Sequence, residues 1–346
     1  MDNHKLIITG VGKSEIRTEP LPEPGPGEVL LRVEACALCT WERYIYNGDE
    51  PAGFPFHGGH EIAGTVVACG PGADFPAGMP AAVVSWARCN ACEPCRRGYD
   101  NHCEKAEGNT PPGQMWGPEG FAAYILVRDY EVFPLGDRVP VELGVLAEPL
   151  SCVTRAVRRS GLEAGDTAVV VGAGLMGLLF VQILKSRGIR TVVIQRSQAR
   201  RQLAARMGAQ LVVDPESAGW EEQVLTFTGG RGAEGVFYTA GGGEMLNRIL
   251  SLAAIGGSVV MYAPLYQDEP VISPDILHFR ELSLTGSIRH DLESVRLAVR
   301  LLASGTLDLE GIRFERMDLR DFDQAVERAN RDRDIHRILL KWNEEA

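Results

Sequence analysis

The sequence predicts an α/β protein with two domains, an irregular β domain and a second domain built on a doubly wound parallel sheet. Three observations carry this prediction. A chain of 346 residues is longer than one ordinary hydrophobic core requires. Before Ser151, short β-type runs lie between stretches rich in Gly and Pro. After Ser151, apolar strands alternate with amphipathic helices, as in parallel sheets that helices cover on both faces.

In the first part of the chain, Pro- and Gly-rich runs such as PLPEPGPGE and GPGADFPAGMP alternate with β-type segments. The clearest predicted strands are residues 28–38 (EVLLRVEACAL) and 62–69 (IAGTVVAC). This pattern is typical of a β domain with long loops, and it argues against a helical bundle.

The second part of the chain contains five apolar strands and several helical segments. The predicted strands are residues 167–172, 191–195, 210–214, 235–240 and 257–263. The predicted helices are residues 175–188, 197–208, 243–256 and 292–305. Each predicted helix ends at a glycine, which is the residue that best adopts the left-handed conformation of a helix cap.

Four cysteines, Cys89, Cys92, Cys95 and Cys103, follow one another with the spacing C-x2-C-x2-C-x7-C. This spacing allows a single loop to place four sulfurs around one tetrahedral ion. Four thiolate ligands are typical of a closed, structural zinc site with no position open for chemistry. The alternative is a pair of disulfides.

Composition limits the class of protein. Eight cysteines in 346 residues are too sparse for a disulfide scaffold. The first residues lack a basic segment followed by an apolar run, so we expect no signal peptide and a cytoplasmic location. The apolar stretch 168–184 contains three glycines and Gln182, and it reads as a strand and a helix, not as a membrane span. The net charge of −11 disfavours nucleic acid and anionic membranes as partners.

A glycine-rich turn follows the predicted strand at 167–172. Gly172, Gly174 and Gly177 form the pattern G-x-G-x-x-G, and Leu175 and Met176 open the following helix. The glycines allow a tight turn and the close approach of a pyrophosphate to the helix N-terminus. The pattern therefore predicts a dinucleotide site.

The residues that follow the second strand of this domain indicate which dinucleotide is bound. An acidic residue is expected there in an NAD site, but the chain has Gln195, Arg196 and Ser197, followed by Arg200 and Arg201. Arg196 or Arg200 is suited to bind a 2′-phosphate, which favours NADP(H) over NAD(H). The alternative is a solvated helix face, and we prefer this interpretation for Arg201.

A second group of metal-ligand residue types is spread along the chain. Cys39 lies in ACALCTWERYIYNG, His60 lies in FHGGHEIAG, and Glu148 lies in LAEPLSCV. One thiolate, one imidazole and one carboxylate leave the fourth position of a tetrahedral ion open, as catalytic zinc requires. Taken singly, a cysteine or a histidine is more often structural.

Taken in this order, the motifs resemble those of zinc-dependent medium-chain dehydrogenases/reductases of the alcohol and polyol dehydrogenase type, including sorbitol, glucose and threonine dehydrogenases. CALCTWE resembles the segment that carries the first catalytic zinc ligand, here Cys39. GGHEIAGTVVACGPG resembles the segment that carries the second, here His60, with Glu61 beside it. Glu148 falls on the third carboxylate position. Related branches differ over which of the two carboxylates binds the metal, so both remain candidates.

The resemblance implies a fold and an assembly. Residues 1–152 correspond to a GroES-like catalytic domain with a structural-zinc lobe at 89–103. Residues 153–289 correspond to a Rossmann nucleotide-binding domain, and residues 290–346 return to the catalytic domain. The resemblance also implies two zinc ions per chain, an active site in the cleft between the domains, and a homodimer or homotetramer. ELSLTGSIRHD resembles the segment with a substrate-pocket arginine, here Arg289.

The chain departs from the family pattern next to Cys39. The hydroxyl residue that passes the substrate proton toward solvent is replaced by Trp41, and Thr40 stands in place of a glycine. Thr40, Glu61, Glu148 or a chain of waters are the remaining candidates for proton transfer. Trp41 is also expected to form an aromatic wall of the substrate pocket.

The predicted reaction is reversible hydride transfer between a nicotinamide cofactor and a secondary alcohol or ketone, with a polyol or cyclitol as substrate. Zinc, held by Cys39, His60 and a carboxylate, is expected to bind the substrate oxygen. Two alternatives remain. One is a reductase for specialised aldehydes or ketones of a biosynthetic pathway. The other is a catalytically degenerate relative that binds nucleotide and has a structural or regulatory role.

Overall fold

The computed structural model describes residues 2–51, 53–84, 88–105, 115–136, 138–265, 270–332 and 334–344. The chain divides into two compact units. The first unit comprises residues Met1–Pro149, Asp291–Gly305 and Arg313–Ala346. The second unit comprises residues Leu150–His290 and Thr306–Ile312.

The described residues form fifteen β-strands and ten α-helices. The strands are β1 (Asp2–Gly10), β2 (Lys13–Pro20), β3 (Glu28–Ala37), β4 (Glu61–Cys69), β5 (Pro80–Val83), β6 (Tyr124–Arg128), β7 (Val132–Pro134), β8 (Thr167–Val171), β9 (Arg190–Ile194), β10 (Leu211–Val213), β11 (Ala233–Tyr238), β12 (Ala253–Met261), β13 (Ser283–Gly286), β14 (Phe314–Asp318) and β15 (Arg337–Lys341). The helices are α1 (Thr40–Asn47), α2 (Glu93–Arg96), α3 (Ala147–Ser160), α4 (Leu175–Ser186), α5 (Gln198–Arg206), α6 (Trp220–Phe227), α7 (Gly243–Leu252), α8 (Pro274–Phe279), α9 (Leu292–Ala303) and α10 (Phe322–Arg331).

The first unit is built on a seven-stranded sheet with the order β14-β15-β3-β4-β5-β7, in which β6 also pairs with β3. β14 and β15 run parallel, and the other neighbouring strands run antiparallel. Side chains alternate across β3, as strand geometry requires. Val29 and Leu31 join a large core with Phe322 of α10, whereas Leu30 packs with Tyr124 in a smaller cluster.

The second unit is built on a six-stranded parallel sheet with the order β10-β9-β8-β11-β12-β13. Every residue of β8 is buried, as expected for a strand that lies between two helical layers. The strand order reverses between β8 and β11, and ligands of open α/β sheets bind at such a switch point. The predicted doubly wound parallel sheet is therefore confirmed.

One predicted helix is too long. The sequence predicted a helix over 243–256, but α7 ends at Leu252 and the next residues begin β12. Ala253 pairs with Ala233 of β11, so the sheet takes the backbone hydrogen bonds that a longer helix would have used. Gly256 has a positive φ of 74° within this strand and is not a helix cap.

Residues 306–312 also differ from the sequence prediction, which assigned them to the segment that returns to the first domain. They belong to the second unit. The backbone N–H of Asp308 donates to the buried Gln182 side chain at 2.8 Å, and Leu307 and Ile312 are buried. These contacts hold the segment against α4 and its neighbours.

Within the described ranges, none of the helices has the length and apolar character that a membrane crossing needs. The apolar stretch 168–184 is divided between strand β8 and helix α4, as the sequence predicted.

Candidate active site

Cys39 lies between β3 and α1, where the chain leaves the sheet of the first unit. It is the residue before the first turn of α1, and its backbone is extended (φ −79°, ψ 161°). The preceding Leu38 donates its N–H to Ile338 of β15 at 2.9 Å. This bond fixes the start of α1 relative to the sheet and so fixes the position of the Cys39 thiol.

His60 directly follows a tight turn at Gly59 that has no room for a side chain. Gly59 has a φ of 94°, in the left-handed region that other residues adopt rarely. A Cβ atom on Gly59 would lie 2.5 Å from the Phe121 backbone nitrogen and 2.8 Å from Cys36 Sγ. The chain therefore passes close to its neighbours at this point, and His60 follows at the start of β4.

Glu42 connects Cys39's helix to His60. Its side chain is fully buried, and Oε1 accepts hydrogen bonds from the Gly59 N–H at 3.0 Å and from His60 Nδ1 at 2.6 Å. Because a carboxylate only accepts, the proton of the ring lies on Nδ1 and Nε2 is left as the ligand atom. A carboxylate on the second nitrogen of a ligating histidine fixes both tautomer and ring orientation.

The two groups also stabilise each other's charge. Burial opposes the protonated imidazole, but Glu42 and Cys39 outweigh it and raise the pKa of His60 well above its ordinary value. Burial likewise opposes the ionised carboxylate, but His60 and the Gly59 N–H hold the pKa of Glu42 below its ordinary value. Glu42 Oε2 is buried and has no hydrogen-bond partner among the described residues.

The predicted metal ligands fall into two groups that share His60, and the first group also contains Glu42, which the sequence did not predict. Ligand atoms of Cys39, Glu42 and His60 lie within 4.8 Å of one another, and so do those of His60, Glu61 and Glu148. Glu148 reaches the group from the first turn of α3. A thiolate, an imidazole and a carboxylate are the ligands that catalytic zinc uses, so the residues present fit the ion.

Arg337 distinguishes the two candidate carboxylates. It donates to both oxygens of Glu61, from Nε at 2.7 Å and from Nη2 at 2.8 Å. The side chain of Glu61 is 1% exposed and that of Arg337 is 9% exposed. A buried charge pair with both oxygens satisfied is costly to break. Nη2 of Arg337 also lies 3.7 Å from Cys39 Sγ, so the guanidinium faces the thiol.

The four cysteines of the lobe form a closed sulfur cluster. Their Sγ atoms lie within 4.8 Å of one another, and those of Cys92 and Cys103 are 4.0 Å apart. Tetrahedral zinc with bonds of about 2.3 Å requires sulfur separations of about 3.8 Å. The backbone N–H groups of Ala91 and Cys92 donate to Cys89 Sγ and lower the pKa of Cys89 to about 6. None of the eight cysteines forms a disulfide.

The glycines of the predicted dinucleotide turn occupy three different environments. Gly172 has a φ of 101°, which makes the tight turn after β8. Gly177, in α4, would place a Cβ 2.1 Å from the carbonyl oxygen of Gly172, so it allows the helix to pack against the turn. Gly174 caps α4 and would place a Cβ in open space, where a pyrophosphate can approach the helix N-terminus. Leu175 is buried and Met176 is partly buried in the first turn of α4.

Of the residues after β9, some make hydrogen bonds within the loop and others are exposed to solvent. Arg201 donates to the Gln195 and Arg196 carbonyl oxygens and pairs with Asp214 at 2.8 Å, so it holds the loop together. Arg196 is exposed, and its guanidinium lies 3.9 Å from Glu216. Glu216 therefore places a carboxylate near Arg196, although the residues directly after β9 carry none. Gln195 Oε1 accepts from the Ser197 N–H at 3.0 Å.

Two family descriptions match the chain. Residues 25–137 match the alcohol dehydrogenase GroES-like domain, and residues 176–304 match the zinc-binding dehydrogenase domain. Scyllo-inosose 3-dehydrogenase of Thermotoga maritima is 30% identical over 94% of this chain and 90% of its own length. The chain belongs to the zinc-dependent medium-chain dehydrogenase family.

Other relatives of this dehydrogenase have similar lengths. L-galactonate-5-dehydrogenase of Escherichia coli is 29% identical over 89% of each chain. Among solved structures, a zinc-binding dehydrogenase of Sinorhizobium meliloti bound to NADP has a TM-score of 0.86, with 28% identity and 99% coverage of both chains. The predicted GroES-like and Rossmann domains are thereby confirmed.

Trp41 and Thr40 of the dehydrogenase occupy the first turn of α1, next to Cys39. The Trp41 ring meets the His60 ring edge-on, with centroids 5.6 Å apart. Thr40 Oγ1 accepts from Nη2 of Arg43 at 3.0 Å, so the hydroxyl keeps its own proton for donation. The Trp41 side chain therefore lies beside a candidate metal ligand.

Arg289 lies in the second unit, after β13. Its φ of 61° is in the left-handed region, which costs a residue with a Cβ of the order of 1 kcal/mol. Arg155 and Arg159 of α3 donate to residues 285–288 and hold the segment that precedes Arg289 in place.

Arg200 lies in the first turn of α5, and its N–H donates to the capping Ser197 hydroxyl.

The Glu42–His60 bond predicts that Glu42→Gln weakens metal binding at the Cys39 site by about 10–100-fold, because the ring loses its charged partner. The four-cysteine lobe is the internal control and keeps its zinc. Zinc titration against a chelator measures both sites, and Asp49→Ala, an exposed change just beyond α1, is the matched control variant. Equal zinc affinity at the Cys39 site in Glu42→Gln and the wild type would contradict this role.

The dinucleotide turn predicts that substitution of one glycine lowers stability and substitution of another lowers nucleotide affinity. Gly177→Ala places a methyl group against Gly172 and lowers stability by about 1–3 kcal/mol, which shifts Tm by several degrees. Gly174→Ala places its methyl group in open space, so the cofactor-free Tm stays unchanged and only nucleotide binding weakens. Thermal unfolding with and without NADPH measures both. A Gly174→Ala variant that binds NADPH normally would count against the site.

Proposed function

We propose that this dehydrogenase exchanges a hydride between NADP(H) and a secondary alcohol or ketone of a polyol-like substrate. The observation that supports the proposal is that two groups of metal-ligand atoms, Cys39–Glu42–His60 and His60–Glu61–Glu148, share His60 within the first unit of a nicotinamide-dependent dehydrogenase. Relatives named for inosose and galactonate support a substrate with several hydroxyl groups.

In this proposal Cys39, His60 and Glu148 hold a catalytic zinc, and the four cysteines of the lobe hold a structural one. Glu148 is preferred over Glu61 because both oxygens of Glu61 are engaged by Arg337. Glu61 and Arg337 are then positioning residues, which place a fixed positive charge near the Cys39 thiolate.

When bound, zinc supplies Lewis-acid polarisation of the substrate oxygen and the nicotinamide supplies the hydride exchange. The residues of the chain orient the metal ligands and the substrate, and they exclude water from the site. Glu42 holds the His60 ring in one tautomer, and Trp41 covers one side of that ring. Thr40 is the residue we propose to move the substrate proton, since Trp41 offers only an N–H donor.

Arg196 and Arg200 are proposed to bind the 2′-phosphate of NADP(H). Arg196 is exposed, and its contact with Glu216 at 3.9 Å is weak enough to be exchanged for a phosphate. The NADP-bound relative of Sinorhizobium meliloti supports the same cofactor.

A cytoplasmic location is proposed because free cysteines and a thiolate zinc lobe suit a reducing compartment. Assembly as a homodimer or homotetramer stays a prediction.

One observation favours a second candidate. Trp41 replaces the usual proton-relay hydroxyl, which suits a reductase for specialised aldehydes or ketones, or a degenerate relative that binds nucleotide without turnover. The degenerate alternative requires one zinc per chain, whereas the proposed enzyme requires two.

The zinc assignment predicts different losses for two cysteine substitutions. Cys39→Ser removes one zinc and lowers kcat/KM by at least about 10³-fold, because the metal supplies most of the oxyanion stabilisation. Cys92→Ser removes the other zinc and lowers Tm. Elemental analysis, turnover and thermal unfolding measure these effects, with Cys69→Ser as the control cysteine. If Cys39→Ser keeps two zincs and full activity, the metal assignment is wrong.

The cofactor assignment predicts that Arg196→Ala lowers kcat/KM for NADP(H) by about tenfold or more, since a charged hydrogen bond contributes about 1.5–3 kcal/mol. The value for NAD(H) should stay nearly constant. Arg187→Ala, an exposed arginine at the end of α4, serves as the control. A wild-type kcat/KM that favours NAD(H) tenfold would refute the preference.

A further inference from the structure

Trp41, whose ring lies beside His60, belongs to a cluster of three aromatic side chains that we call the aromatic wall: Trp41, Phe56 and Trp116. The ring of Trp41 lies 5.4 Å from that of Phe56 and 6.3 Å from that of Trp116, and Phe56 and Trp116 are 4.6 Å apart. Phe56 is fully buried, whereas Trp41 and Trp116 are only partly buried. Part of each indole surface is therefore accessible.

The wall is rigidly held. Nε1 of Trp116 donates to the Gly53 carbonyl oxygen at 2.5 Å, and its backbone oxygen accepts from the His57 N–H at 2.8 Å. Trp41 is carried by α1, directly after the Cys39 position. Trp116 is thus held in place and packs against Trp41, and the Trp41 ring lies beside His60, where a substrate oxygen must come if His60 binds the metal.

The aromatic wall should distinguish polyols that have an apolar C–H face from polyols that carry hydroxyl groups on every side. An indole face is apolar and has no acceptor for a hydroxyl group, so a hydroxyl pressed against it loses its hydrogen bond to water. A six-membered ring with equatorial hydroxyls presents a face of axial C–H groups, and its hydroxyls project around the rim. An open-chain polyol has a hydroxyl on almost every carbon and no persistent C–H face.

Rigidity favours the same class of substrate. An open-chain polyol has several rotatable carbon–carbon bonds, and each one that is fixed on binding opposes association. A ring is already fixed. It needs only polar partners for its rim, and the Thr40 hydroxyl, which lies beside Trp41 in the first turn of α1, can provide one.

We propose that the aromatic wall makes this enzyme specific for cyclic polyols with equatorial hydroxyls, cyclitols or pyranoses, whose C–H face stacks on Trp41. The proposal rests on the proposed function. The step is the oxidation of one ring secondary alcohol to a ketone: its C–H hydride reduces NADP⁺ to NADPH, and its O–H proton is released.

The test compares two six-carbon polyols, scyllo-inositol and D-sorbitol, by kcat/KM with NADP⁺. The expected wild-type preference for scyllo-inositol is about three- to tenfold, which corresponds to the strength of an aromatic stacking contact. Trp41→Leu should lose this preference, mainly through a higher KM for scyllo-inositol, with a clearly smaller fall in kcat/KM for D-sorbitol. Trp41→Phe keeps an aromatic face and should retain most of it. Trp342→Leu, which removes a tryptophan stacked on His4, is the matched control.

Saturation-transfer NMR gives a second measurement that does not need turnover. The ring C–H protons of scyllo-inositol should receive saturation from the wild type and from Trp342→Leu, and little from Trp41→Leu. The proposal is overturned if the wild type prefers D-sorbitol, or if Trp41→Leu lowers kcat/KM for both polyols equally. If the wild type binds two zincs and NADPH but oxidises no alcohol, the proposed function itself fails.

Discussion

The carboxylate of Glu42 is the contact on which the arrangement around Cys39 and His60 depends. One oxygen binds both the N–H of Gly59, in a turn closed to any side chain, and Nδ1 of His60. The first bond fixes the turn, and the second fixes the ring that the turn delivers. Since Glu42 lies one helical turn after Cys39, the same helix also sets the position of the thiol. Backbone geometry and ligand geometry are therefore determined together.

Around this contact, the two candidate carboxylates, Glu61 and Glu148, lie in different surroundings. Arg337 satisfies both oxygens of Glu61 in a buried pair, whereas Glu148 enters from a helix N-terminus close to His60. A buried charge without compensation is expensive, and partners for Glu61 and Glu42 lower that cost. The four-cysteine lobe differs from this site because four sulfurs, with backbone N–H groups donating to them, surround the ion position and leave no ligand position open.

Local patterns predicted much of this molecule. The spacing of the four cysteines and the glycine turn after β8 follow from short-range geometry, and the strands of the parallel sheet follow from apolar runs. Glu42 was missed because an acidic residue in the first turn of a helix usually faces solvent. Arg337 was missed because it lies 276 residues from Glu61, and nothing local signals the pairing. Helix α7 was drawn too long because Ala253 continues its apolar pattern, whereas pairing with Ala233 decides its structure.

X-ray absorption at the zinc edge of the fully zinc-loaded protein tests the central claim most directly. If Glu42 holds His60 toward a second ion, the spectrum contains imidazole scattering and a mean of about 2.5 sulfur ligands per zinc, with nitrogen or oxygen ligands at about 2.0–2.2 Å. A spectrum with four sulfurs per zinc, no imidazole signal and one zinc per chain would contradict the account.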